Sequence, residues 1–86
     1  MNQTYTKRER EHIRRVKELH CSVCDAYPPS EAHHMKQSNP YTCIALCDIC
    51  HRGKGGIHGD KTLWRINKMD ENDALNVTIK RLMENI

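Results

Sequence analysis

Four of the five cysteines form two CxxC motifs, Cys21-Ser-Val-Cys24 and Cys47-Asp-Ile-Cys50. Two residues between the cysteines of a motif let both thiolates face one tetrahedral ion. The four cysteines are therefore predicted to ligate one structural Zn²⁺, and a closed shell of four protein ligands leaves no position open for chemistry. The fifth cysteine, Cys43, is predicted to be a small buried residue on a strand.

A second group of potential ligands consists of four histidines: His33, His34, His51 and His58. Neighbouring side chains on a strand point to opposite faces, so His33 and His34 cannot easily share one metal ion and are expected to have different tasks. A single histidine is usually a surface residue or a satisfied core residue, and this is the interpretation for His12 and His20. Four histidines so close together favour a chemical role.

A run of glycines follows His51 and continues past His58: Gly53, Gly55, Gly56 and Gly59. Two interpretations of this run remain open. The glycines either form only a turn, or they let the backbone approach a phosphate closely, aided by Arg52 and Lys54.

The composition predicts one small domain that needs a crosslink. The chain has 86 residues, 37% of them hydrophobic, with one Trp and no Phe, so the apolar material for a self-sufficient core is thin. The formal net charge is +3, and four thiolates with one Zn²⁺ reduce it to about +1. Positive charge is concentrated in residues 1–20 and 51–68, whose net charges are +3 and +4. Such segments either contact a phosphate backbone or form a solvated surface.

The first twenty residues are basic and contain no apolar run, which argues against a signal peptide. No apolar stretch approaches the roughly eighteen residues that a membrane-spanning helix needs. An odd number of cysteines suits disulfide pairing poorly. We therefore expect thiolate ligands in a reducing cytoplasm and no association with a membrane.

The elements that must position these residues are predicted from local patterns. Thr6 and Glu9 fit a capping box, and the apolar spacing after them predicts a helix over residues 7–20. Two short strands, 31–35 and 41–46, are predicted to pair as a hairpin.

Only helices are predicted after the hairpin. A helix that begins near residue 47 must be interrupted by the glycines. A helical pattern over residues 62–69 is followed by Asp70, which can cap a last helix. The predicted buried stripe of that last helix comprises Leu75, Ile79, Leu82, Met83 and Ile86.

The order of these motifs resembles that of a known nuclease family. The chain is similar to the zinc-stabilised branch of the HNH endonucleases, whose fold is a ββα-metal, or His-Me, finger. The resemblance lies in the order of three features: a CxxC motif, an extended segment ending in a His pair and the sequence Leu-Cys-x-x-Cys-His. This match covers residues 21–51. The run from His51 to Gly59 and the downstream Trp64 resemble the RecA-dependent recombination-enhancement (Ref-type) nucleases of phages and prophages.

The resemblance implies a small α+β fold in a single domain, residues 1–86. A zinc-stabilised ββα-metal core is expected between flanking N- and C-terminal helices. Residues 1–20 would form a basic N-terminal helix, residues 21–59 the zinc and ββα-metal core, and residues 60–86 the C-terminal helices.

In that family a metal ligand and then the general base occupy adjacent positions at the end of the first strand, which the resemblance places at His33 and His34. It places further ligands of the catalytic metal at His51 and His58, so that three imidazoles leave open positions on the ion. Imidazole ligands suit Zn²⁺, Ni²⁺ or Mn²⁺, whereas Mg²⁺ prefers oxygen and would bind weakly. Thr42 stands where the family carries the Asn that orients the base.

Two functions are consistent with the sequence. The first is a metal-dependent DNA endonuclease that hydrolyses phosphodiester bonds in the cytoplasm of a bacterial host, encoded by a phage or prophage, with DNA and a recombination protein as partners. The second is a non-catalytic zinc-knuckle module that binds nucleic acid or a protein. Both explain the cysteines, but only the first explains the four histidines together. In the nuclease, DNA phosphates are expected to contact four basic residues: Arg52, Lys54, Lys61 and Arg65.

Overall fold

Four helices and a two-stranded antiparallel sheet make up residues 4–84, the part of the chain that the structure, a computed structural model, describes. The elements follow in the order α1 (Lys7–Lys17), β1 (Glu31–His34), β2 (Cys43–Leu46), α2 (Asp48–Arg52), α3 (Thr62–Ile66) and α4 (Glu71–Glu84). The predicted small α+β architecture, a hairpin flanked by helices in the sequence, is therefore confirmed. No helix within residues 4–84 is long and apolar enough to cross a membrane.

The predicted capping box is present at the start of α1. The Thr6 hydroxyl accepts a hydrogen bond from the Glu9 N–H at 3.1 Å, and the Glu9 carboxylate accepts one from the Thr6 N–H at 2.7 Å. These bonds satisfy two N–H groups at the helix terminus. The helix ends at Lys17, earlier than predicted, because the Leu19 N–H bonds the carbonyl of Val16, three residues back, at 3.1 Å and tightens the last turn.

The hairpin is formed as predicted, with shorter strands. The register pairs Glu31 with Leu46, Ala32 with Ala45, His33 with Ile44 and His34 with Cys43. Between the strands the chain turns, and the Thr42 N–H bonds the carbonyl of Asn39 at 3.3 Å. All four residues of β2 are buried, which explains why that strand is a continuous apolar run.

The strand β2 separates two apolar clusters. One contains Val16, Leu19, Cys43, Ala45 and Leu82. The other contains Cys21, Val23, Ile44, Leu46, Cys50, Trp64 and Ala74. Successive residues of β2 alternate between the two clusters because side chains leave a strand on opposite faces. Cys43 is 1% exposed, as predicted for a small buried residue, and burial raises the pKa of its thiol to about 11.

The buried face of α4 differs from the predicted stripe. Its buried residues are Ala74, Thr78 and Leu82, whereas Ile79 and Met83 are 44% and 66% exposed. The prediction is confirmed for Leu82 and wrong for Ile79 and Met83, because it ranked positions by hydropathy alone. The small side chain of Ala74 belongs to the core cluster, and the polar Thr78 is drawn inward by hydrogen bonds.

Thr78 determines which face of α4 is buried. Its Oγ1 accepts a hydrogen bond from the Ala45 N–H of β2 at 3.2 Å and lies 2.7 Å from the hydroxyl of Ser22. An apolar residue at this position would leave that buried N–H unpaired. Of the other predicted stripe residues, Leu75 is half-buried and Ile86 lies outside the described residues.

Candidate metal centres

The first candidate centre, the four-cysteine cluster, consists of Cys21, Cys24, Cys47 and Cys50. The four sulfur atoms all lie within 4.8 Å of one another. Cys47 caps the N-terminus of α2, where its Sγ accepts a hydrogen bond from the Cys50 N–H at 3.4 Å. Cys21 and Cys50 are buried, whereas Cys24 is exposed. The two CxxC motifs therefore meet, and the cluster can hold a zinc ion.

The environment of the thiols shows why a cation fits there. Burial is the largest influence and raises the pKa of Cys47 and Cys50, since a buried thiolate loses solvation. Burial also disfavours the thiolate of Cys21, but hydrogen bonds from the backbone, chiefly at Cys24 and Cys47, outweigh it and hold that pKa below its usual value. A divalent cation compensates the charge of thiolates brought together in this way. Four sulfur ligands are the donor set of structural Zn²⁺.

The second candidate centre, the three-histidine cluster, consists of His33, His51 and His58. One ring nitrogen of each lies within 4.8 Å of the corresponding nitrogens of the other two, and His33 Nδ1 is 3.3 Å from His51 Nε2. His33 is buried, His51 is half-buried and His58 is exposed. One side of the cluster therefore faces solvent.

Each histidine of this cluster is positioned differently. His33 lies on β1, and His51 directly follows Cys50 of the four-cysteine cluster in α2. The glycine-rich loop returns the chain to α2, where the His58 N–H donates to the carbonyl of His51 at 3.1 Å and the Ile57 N–H donates to the carbonyl of Cys50 at 2.9 Å. The two centres are thus joined through one short helix.

Two carboxylates orient the imidazoles. Glu31 Oε1 lies 2.7 Å from His51 Nδ1, and Glu71 Oε2 lies 2.8 Å from His33 Nε2. An imidazole that donates its proton to a carboxylate presents the other nitrogen as a lone pair, which is the common arrangement behind metal-binding histidines. In both residues that other nitrogen faces the cluster, since His33 Nδ1 and His51 Nε2 are the pair that approach each other.

Neither carboxylate was predicted from the sequence. Glu31 had a usable signal, because it lies two residues before His33 on a strand and so shares its face. Glu71 had no such signal in the sequence, since it lies 38 residues after His33 and contacts His33 only because of the packing of α4.

The electrostatics favour the form of the imidazole that binds metals. Burial lowers the pKa of His33, the hydrogen bond to Glu71 opposes this, and the neighbouring histidines lower the pKa further. The hydrogen bond to His51, followed by the hydrogen bond to Arg52, lowers the pKa of Glu31. At neutral pH His33 is therefore neutral and Glu31 is a carboxylate. Three nitrogen donors with one solvent-exposed member suit a divalent ion that keeps open positions.

Comparisons of the chain with protein-family models, with characterised proteins and with solved structures found no match. The assignment of a function therefore depends on the arrangement of this chain's own side chains. Two features of that arrangement are decisive: a closed set of four sulfurs and an open set of three imidazoles.

His34 lies on the opposite face of β1 from His33 and is not part of the three-histidine cluster, in agreement with the expected alternation. The ring of Tyr5 stacks on it at 5.9 Å with an interplanar angle of 4°. His34 Nε2 is buried and has no hydrogen-bond partner among residues 4–84. The two remaining histidines also lie apart from the cluster, His12 against Tyr41 and His20 against Tyr27.

The glycines have a structural reason in the packing of the loop. A Cβ on Gly56 would lie 2.7 Å from the carbonyl oxygens of Cys50 and Ile49, and one on Gly59 would lie 2.2 Å from that of Lys54. None of the glycines has a positive φ. Close approach of backbone to backbone, to α2 at Gly56 and to the loop's own residues at Gly59, is what requires glycine at these positions, rather than an unusual backbone angle.

The four basic residues predicted to contact nucleic acid are exposed: Arg52, Lys54, Lys61 and Arg65. Arg52 has a partner that the sequence did not indicate, because its guanidinium bonds both carboxylate oxygens of Glu31, with Nε 3.1 Å from Oε1. The guanidinium of Arg65 donates to the hydroxyl of Thr62 at 3.4 Å. Contact of these residues with DNA stays a prediction, and Arg52 is committed in part to holding Glu31.

Proposed function

We propose that this protein is a metal-dependent DNA endonuclease of the HNH type, with a structural Zn²⁺ at the four-cysteine cluster and a second divalent ion at the three-histidine cluster. The observation that carries the proposal is the second cluster, in which three imidazole nitrogens converge and two of the rings are held by carboxylates. A non-catalytic zinc module has no need of such a cluster. The succession of β1, β2 and α2 supports a ββα-metal finger as the fold of the site.

The motif resemblance supports further parts of the same proposal. A gene carried by a phage or prophage, action in the cytoplasm of a bacterial host and a recombination protein as partner all follow from the likeness of the His51 to Gly59 run to the RecA-dependent nucleases. Zn²⁺, Ni²⁺ and Mn²⁺ are the ions that three imidazoles favour, and Mg²⁺ is a weaker candidate.

The reaction is hydrolysis of a phosphodiester: a water oxygen bonds to phosphorus and the water gives up a proton. One P–O ester bond breaks, and the leaving oxygen keeps the electron pair and takes up a proton from solvent. His34 accepts this proton at Nε2, which no residue of the described chain engages. A divalent ion at the three-histidine cluster supplies positive charge for the phosphate and the leaving oxygen. Glu31 and Glu71 keep the imidazoles of His51 and His33 in their orientation.

His34 Nε2 is shielded from solvent, and the proposal therefore requires a local shift when substrate binds. The stacked ring of Tyr5 is the neighbour that we expect to move. Hydrogen bonds of a catalytic group commonly form only in the substrate complex.

Nicking of supercoiled plasmid by the zinc-loaded protein, with a panel of divalent ions, tests this proposal. We expect nicking with at least one of Zn²⁺, Ni²⁺, Mn²⁺ and Mg²⁺, and two bound ions per chain by metal analysis. The variant His34→Ala should lose a factor of about 10² or more in nicking rate while it keeps both ions. His20→Ala, which alters a histidine outside both clusters, should nick at the wild-type rate.

Each alternative has a distinct outcome in these experiments. A wild-type protein that binds one ion and cuts no DNA is the non-catalytic zinc module. If His34→Ala cuts at the wild-type rate, His34 is not the general base. If His34→Ala loses the second ion and His33→Ala keeps it, the roles of the two histidines are exchanged.

A further inference from the structure

A cavity of about 460 Å³ lies between α1 and β1. Arg10, Arg14 and Lys17 line it from the helix, and Ala32 and His34 line it from the strand. We call this cavity the α1–β1 groove. None of its lining residues within the described chain is acidic, so it presents positive charge beside the proposed general base.

The three basic residues of the α1–β1 groove share one face of α1, because they are four and three positions apart. Arg14 is paired with Glu11 and with Glu18, the latter at 2.7 Å. The Arg10 guanidinium makes no salt bridge among residues 4–84 and donates a hydrogen bond to the carbonyl of Tyr5 at 2.7 Å. Lys17 makes no side-chain hydrogen bond or salt bridge in the same part of the chain. Two cations, Arg10 and Lys17, are therefore available to an anionic ligand.

The α1–β1 groove continues toward the three-histidine cluster. A second cavity, of about 370 Å³, is lined by Lys17, Ser30, Glu31, Ala32, His51 and Arg52, and the Glu31 carboxylate there is paired with the Arg52 guanidinium. The two cavities share Lys17 and Ala32. A linear ligand that lies along β1 would pass His34 at one end and His51 at the other.

We propose that the α1–β1 groove binds the phosphate backbone of one nucleic-acid strand, with Arg10 and Lys17 as its phosphate ligands. This inference rests on the proposed nuclease function and names the path of its substrate. Seven residues of helix separate the two cations by roughly 10 Å, so each would contact a different phosphate of the strand. A strand on this path passes His34, on one face of β1, and continues toward the three-histidine cluster on the other face.

The salt dependence of binding tests this path. The probe is a short fluorescent DNA strand with phosphorothioate linkages that slow hydrolysis, and the protein is zinc-loaded. The double variant Arg10→Gln/Lys17→Gln should reduce the slope of log K against log salt by about 1.4, since each lost contact to a single strand removes about 0.7. Glutamine retains helix propensity, so circular dichroism should be unchanged.

The matched control is Lys7→Gln/Arg8→Gln, which removes the same charge from the same helix. Lys7 and Arg8 line a separate cavity with His12 and Tyr41, and their replacement should leave the slope at its wild-type value. An equal reduction in both double variants would overturn the proposal in favour of diffuse attraction. No reduction for Arg10→Gln/Lys17→Gln would also overturn it.

Two further arms separate this inference from the proposed function and from other polyanions. If the wild-type protein nicks plasmid and Arg10→Gln/Lys17→Gln binds and nicks equally well, the groove is not the substrate path, although the nuclease stands. If the slope falls as expected but no ion supports nicking, the groove is supported and the catalytic function fails. Polyglutamate that binds as tightly as DNA, with the same loss in the variant, would overturn a nucleic-acid assignment.

Discussion

The four-cysteine and three-histidine clusters are adjacent in the chain, where Cys50 is followed by His51, but they differ in closure. The first offers four donors, two of them fully buried, from two distant segments. The second offers three donors, and His58 is exposed. Four protein ligands complete a tetrahedral shell, whereas three leave room for water or a phosphate oxygen. Neighbouring sites built on one helix can therefore serve stability and chemistry separately.

Burial acts on the two clusters in opposite directions. It raises the pKa of Cys47 and Cys50, so a metal ion must displace protons from these thiols. It lowers the pKa of His33, so that imidazole is already in its metal-binding form at neutral pH. The hydrogen bond from His33 to the Glu71 carboxylate opposes this lowering of the pKa in part. The difference follows from charge, because the ligand form of cysteine is ionised and that of histidine is neutral.

The largest expected effect is at the closed cluster. Cys47→Ser should leave the domain largely unfolded, because structural zinc contributes on the order of 10 kcal/mol in small modules, which exceeds the stability of a domain of this size. Circular dichroism measures the loss of folded structure, and metal analysis measures the loss of zinc. Cys43→Ala is the control: Cys43 is more deeply buried than Cys47 but lies outside the cluster, and its replacement should retain zinc at a cost of about 1 kcal/mol. Native spectra and melting for Cys47→Ser would contradict the four-cysteine assignment.

The next effect separates the open cluster from the closed one. His51→Ala should abolish binding of the second ion and lower nicking by a factor of about 10² or more, while it keeps zinc and the fold. The reason is that His51 contributes a nitrogen ligand to the three-histidine cluster and is not a member of the four-cysteine cluster. Metal analysis and thermal melting on the same sample measure both quantities. Loss of zinc together with the second ion would show that the clusters act as one unit.

A smaller effect is expected in the glycine-rich loop that connects α2 to His58. Gly56→Ala should destabilise the fold by about 2 kcal/mol, because the added methyl meets two backbone carbonyls that cannot move aside. Gly55→Ala is the matched control, since its methyl meets the flexible Leu63 side chain at 3.1 Å, and it should cost less. Equal melting temperatures for the two variants would remove the packing explanation of Gly56 and favour close approach to a phosphate.

The smallest effect concerns the orientation of one ligand. Glu71→Gln should weaken binding of the second ion by about tenfold without loss of zinc, because the carboxylate that holds His33 is replaced by a neutral amide. Titration calorimetry with Ni²⁺ or Zn²⁺ measures the affinity. Glu84→Gln, at the other end of α4, should leave it unchanged. If Glu71→Gln binds the second ion with unaltered affinity, Glu71 does not help to position His33.

Local patterns determined much of the scaffold. The capping box of Thr6 and Glu9, the hairpin, and the loop that interrupts α2 were all predicted, because each depends on residues close together in the chain. The two CxxC motifs determined the membership of the four-cysteine cluster, since the ligand spacing itself matches the ion. The alternation of His33 and His34 followed from strand geometry in the same way.

Tertiary structure alone decided the surroundings of those residues. Packing of α4 on β2 brought Glu71 to His33, and the hydrogen bonds of Thr78 turned the helix away from its apolar stripe. The salt bridge of Arg52 with Glu31 joins residues 21 positions apart. Such contacts depend on how whole helices and strands pack against one another. One buried N–H that needs an acceptor can outweigh a hydrophobic pattern. Local residue spacing therefore does not encode which face of a helix is buried.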